Sequence, residues 1–62
     1  MIIRRNGEYL QGRILYSREL RWSDSAWDAW WTRDREKARE IARDTGGVVM
    51  LFNPVEGQMR VL

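Results

Sequence analysis

The chain is 62 residues long, carries 11 Lys and Arg against 9 Asp and Glu, and contains neither cysteine nor histidine. That length allows one domain, residues 1–62, burying only about 60% of the surface its unfolded chain exposes, and with no disulfide or zinc cluster to staple it the fold depends on apolar packing or on a partner. The inventory excludes Ser-His and Cys-His nucleophile pairs, and the lack of a long apolar run excludes a membrane-spanning helix, so the expected setting is a soluble protein of a reducing cytoplasm.

The first element is a hairpin. In Ile2-Ile3-Arg4-Arg5-Asn6-Gly7-Glu8-Tyr9-Leu10, Asn-Gly tolerates the positive φ angles of a type I′ turn. A two-residue loop sets Arg5 opposite Glu8 and Ile3 opposite Leu10 on one face, and Arg4 opposite Tyr9 on the other. The second strand is expected to run on through Ile14-Leu15-Tyr16, with Gly12 marking a bulge or bend. Glu19-Leu20-Arg21-Trp22 alternates as an edge strand does, and Ser23-Asp24-Ser25 reads as a turn.

Four tryptophans, Trp22, Trp27, Trp30 and Trp31, crowd the stretch before the helix signal. Trp27, Trp30, Trp31, Ala38, Ile41 and Ala42 fit one face of a 3.6-residue repeat, and Ser25 to Asp28 has the form of a capping box. Asp34 also falls on that face, however, and Thr32 followed by Arg33-Asp34 is a better placed start. The sequence therefore predicts a short strand at residues 28–31 and a helix at residues 33–45 capped by Thr32, with one continuous helix over residues 25–45 as the alternative. In the strand reading Trp30 and Trp31 point to opposite faces: Trp31 is assigned to the core and Trp30 to the surface.

Gly46-Gly47 ends the helix, where glycine most readily takes a left-handed cap. Val48-Val49-Met50-Leu51-Phe52 reads as a buried strand, Asn53-Pro54-Val55-Glu56-Gly57 as a turn, and residues 58–62 as the last strand. Pairing Phe52 with Gln58 puts Val49, Leu51, Met59 and Val61 under Ala38, Ile41 and Ala42. The expected fold is α+β: a small antiparallel β-meander of four to five strands with one α-helix packed on one face.

Gly7-Glu8-Tyr9-Leu10, Ala29-Trp30-Trp31-Thr32, Ala38 with Ala42, and Gly46-Gly47-Val48-Val49 together resemble small accessory proteins encoded by bacteriophages and prophages. The resemblance covers most of the chain through turn and packing motifs, and carries over no catalytic residue. It implies a host-takeover or counter-defence protein, anti-CRISPR-like in action, that blocks a protein of the bacterial host in its cytoplasm.

Function is narrowed further by chemistry. Ser17, Ser23, Ser25 and Thr32 suit turns and caps, and the Gly-Gly pair lacks the lysine and spacing of a phosphate loop, so no enzyme, cofactor or metal is expected. Tryptophan and arginine are the residue types most enriched at interface hot spots. The expected binding residues are Trp22, Trp27, Trp30, Arg18 and Arg21, with Tyr9 and Phe52 added on the face away from the helix. One alternative is a single-stranded nucleic-acid binder, in which Arg13, Arg18 and Arg21 would track the backbone while Trp22 stacks a base. Against it, Arg35, Arg39 and Arg43 on the helix run beside Glu36, Glu40 and Asp44, which cancel their field. A homodimer whose mate covers the tryptophans is the second alternative.

Overall fold

The computed structural model describes residues 1–13 and 20–62. Its elements are β1 (Ile2–Arg5), β2 (Glu8–Arg13), β3 (Leu20–Ser23), a 3-10 turn (Ala26–Asp28), α1 (Arg35–Thr45), β4 (Val48–Asn53) and β5 (Gln58–Val61). The five strands form one antiparallel sheet in the order β3-β2-β1-β4-β5. The fold is thus the expected α+β sheet with one helix. Instead of following chain order throughout, the strands place β1 at the centre, because β4 returns beside it after α1.

The hairpin forms as its sequence dictates. Asn6 and Gly7 take φ of 52° and 79°, and Arg4 and Arg5 face Tyr9 and Glu8. Gly12, at φ 152°, accompanies a register shift between Leu10 and Gly12 against β3, the bulge its position foretells. The expected continuation through Ile14, Leu15 and Tyr16 lies outside the described residues.

Ile2 and Ile3 are adjacent and both buried. Neighbouring strand residues point to opposite faces, so both faces of the central strand are covered. Ile3 joins Leu10, Ala38, Ala42 and Val49 in a cluster beneath α1. Ile2 joins Ala26, Ala29 and Met50 in a second cluster on the other side. Val49 and Met50 repeat the division one strand over. Each fully buried isoleucine contributes about 1.5–3 kcal/mol, so two shallow layers share the work of one deep core.

The helix begins two residues later than expected. Asp34, not Thr32, is the N-cap: its carboxylate accepts from the Lys37 N–H at 3.1 Å. The Thr32 hydroxyl accepts from the Asp34 N–H at 3.1 Å, so the two start signals act in series. At the other end Gly46 takes the left-handed conformation, φ 74°, and the Gly47 N–H reaches the Ala42 carbonyl at 2.8 Å.

The β4–β5 register differs from expectation by one residue. Phe52 faces Met59, and Asn53 faces Gln58. The Asn53 carboxamide oxygen accepts from the N–H groups of Val55 and Glu56, and Gly57 closes the turn at φ 69° with its N–H on the Asn53 carbonyl at 2.8 Å. This tightens the loop to four residues. A one-residue slip reverses every side chain, so Met59 and Val61 lie with Met50 and Phe52 on the side away from α1.

Candidate functional site

No strand forms at residues 28–31, and no helix spans residues 25–45. Residues 26–28 make a single 3-10 turn, held by bonds from Asp28 N–H to the Ser25 carbonyl and from Ala29 N–H to the Ala26 carbonyl, each 3.2 Å. Residues three apart eclipse in such a turn. Ala26 and Ala29 therefore seat together on Ile2 and Met50, leaving Trp27 outward. The chain then runs extended past the start of β1. Trp30 N–H donates to the Leu10 carbonyl at 2.8 Å, Thr32 N–H to the Met1 carbonyl at 3.0 Å, and the Met1 ammonium to the Thr32 carbonyl at 2.9 Å.

Trp30 and Trp31 do point to opposite sides, but in the opposite phase to that expected. Ala29 fixes the phase by facing the second cluster, so Trp30 turns under α1 and packs on the first. Trp31 emerges on the other side, 63% exposed. The surface role expected for Trp30 and the core role expected for Trp31 are thereby exchanged in position.

Trp27 and Trp31 wall a groove of about 480 Å³ on the side of the sheet away from α1, with Ile2, Ala26 and Ala29 along it. Trp27 is 65% exposed, and its ring meets Phe52 edge-on, with centroids 5.2 Å apart and an interplanar angle of 88°. The Arg33 guanidinium lies 5.9 Å from the centre of the Trp31 ring. Both indoles are thus braced, one by an aromatic edge and one by a cation. Among the described residues lining the groove, Arg33 has the one charged side chain. Two further depressions, of about 430 and 360 Å³, contain no tryptophan.

The other expected binding residues scatter. Trp22 packs half-buried against the first cluster, and the Arg5 guanidinium stacks 4.1 Å from its ring centre. That guanidinium also donates to the Thr45 carbonyl at 2.7 Å, where a cation complements the helix C-terminus. Arg5 is therefore a clamp joining β1, β3 and α1. Tyr9 packs on the second cluster without reaching the groove, and Arg4 lies 6.0 Å from the Tyr9 ring centre. Arg21 is exposed on the edge strand β3. Arg18 and the Arg13 side chain lie outside the described residues.

Of the expected site residues, the groove unites Trp27 and Phe52. Trp31 and Arg33 complete it and were missed as binding residues. The signal for them was the Ala26/Ala29 spacing, which marks a small-residue seat; the packing of that seat on Ile2 and Met50 fixes which tryptophan turns outward. Among the described residues, no cluster of three His, Cys, Asp or Glu side chains is placed to hold a metal ion, and no helix is long and apolar enough to cross a membrane. No protein-family model, curated protein or solved structure matches the chain, so the reading of the site rests on its geometry.

Proposed function

We propose that this chain is a non-enzymatic binding module that docks through the Trp27–Trp31 groove and acts by occupying a surface of a partner protein. The observation that carries the reading is the pair of exposed indoles set across an alanine-lined groove. Large rings held by Phe52 and Arg33 lose little conformational freedom on binding, which favours affinity in a small interface. Neither ring is among the residues completing the two buried clusters.

Among the described residues lining the groove Arg33 is the one cationic side chain, and the Met1 ammonium beside it is held by the Thr32 carbonyl; this supports protein over nucleic acid, because single-strand binders line their channels with several cations. The helix bears Arg35, Arg39 and Arg43 among exposed Glu36, Glu40 and Asp44, so it adds no basic track. The setting of a phage protein blocking a host protein in the bacterial cytoplasm comes from the sequence resemblance alone and belongs to the proposal. The immobilised chain should retain a protein from a nuclease-treated bacterial lysate. The double variant Trp27→Ala, Trp31→Ala should lose at least about thirtyfold in affinity, as hot-spot truncations of 2 kcal/mol or more imply. Loss of all bound material on nuclease treatment, or equal retention by the double variant, would contradict the reading.

A further inference from the structure

We infer that the segment held between Trp27 and Trp31 is an extended, proline-containing peptide of the partner that carries a carboxylate. The inference rests on the groove being the docking surface and adds the chemistry of its occupant. Size is the first argument. A groove of about 480 Å³ lies in the range for a drug-sized ligand, enough for a few residues of extended chain.

Wall chemistry is the second. Flat indoles beside small Ala26 and Ala29 suit the polyproline II conformation, which docks in aromatic-lined grooves and is already low in entropy before binding. Its carbonyls make no internal hydrogen bonds, so they are free to accept from indole N–H groups. Pro54 lines the groove, and the Trp27 ring lies over the turn that follows it, where a Cβ added at Gly57 would stand 3.6 Å from Cη2 and 3.7 Å from Cζ2.

Charge is the third argument. Arg33 stands at Trp31, and no acidic side chain among the described residues lines the groove. A guanidinium offers a planar fork that matches a carboxylate.

Calorimetric titration of the full chain tests this with four probes: a capped nonapeptide containing two prolines followed by two glutamates, its lysine-for-glutamate and alanine-for-proline counterparts, and an oligothymidine. The glutamate–proline peptide should bind tightest. The lysine version should bind about two- to fivefold more weakly, the range for an exposed ion pair. Arg33→Glu, at an exposed position, should invert that order, and Trp31→Ala should abolish binding of both. Equal binding of the two charge forms, no loss on replacing proline, preference for oligothymidine, or self-association that buries the groove would each overturn the inference. If no peptide binds while a captured protein still depends on Trp27 and Trp31, the occupant is wrong and the docking surface stands; if that dependence is also absent, both fail.

Discussion

At Gly47 an added methyl group would sit 2.6 Å from the Ile3 Cγ2 atom and 3.1 Å from the Arg4 carbonyl oxygen. Ile3 is fully buried and the carbonyl belongs to the central strand, so neither can give way. Gly46 has a different requirement: its φ is 74°, and the nearest atom to an added Cβ is Arg5 Cδ at 4.0 Å. Gly46 is needed for its conformation and Gly47 for its lack of volume. Denaturant titration should show Gly46→Asn costing less than about 1 kcal/mol, since asparagine tolerates the left-handed region. Gly47→Ala should cost roughly 1–3 kcal/mol, the range for overpacking; equal costs would contradict this division. The Gly-Gly stop was legible in the sequence because a helix cap is local. The demand for space at Gly47 was not, because it comes from β1, some forty residues earlier in the chain.

At the scale of elements, the segment from the 3-10 turn to the helix cap decides where each tryptophan goes. Trp30 packs against the cluster beneath α1, whereas Trp31 lines the groove. Trp30→Ala should therefore destabilise the protein by about 2–4 kcal/mol, below the upper end for a large aromatic because the ring is only half-buried. Trp31→Ala should stay within about 1 kcal/mol. Thermal or urea unfolding of the two variants checks the order, and a larger loss for Trp31→Ala would restore the opposite phase. The hairpin, the helix and β4 were readable from turn chemistry, caps and apolar runs. The 3-10 turn was hidden because Ser25 to Asp28 also fits a capping box, and the β5 register because the Asn53 side chain, not strand alternation, sets the loop length.

For the whole molecule, a chain of this size has a total stability of roughly 3–9 kcal/mol, spread over two shallow layers that meet at β1. The tryptophans divide along the same plane. Trp22 and Trp30 support the helix side; Trp27 and Trp31 stay exposed on the other. The sequence crowds four tryptophans before the helix, and alternation sets Trp30 and Trp31 on opposite faces, one of them outward unless both faces are covered. Which one depends on tertiary packing of Ala26 and Ala29, which no local pattern displays. The division is the centre of the account, and it is read most directly from the four indole N–H signals of ¹⁵N-labelled protein, free and bound to the partner captured from lysate. The signals of Trp27 and Trp31 should shift or broaden on binding while those of Trp22 and Trp30 hold their positions. Perturbation confined to Trp22 and Trp30, or to none of the four, would contradict it.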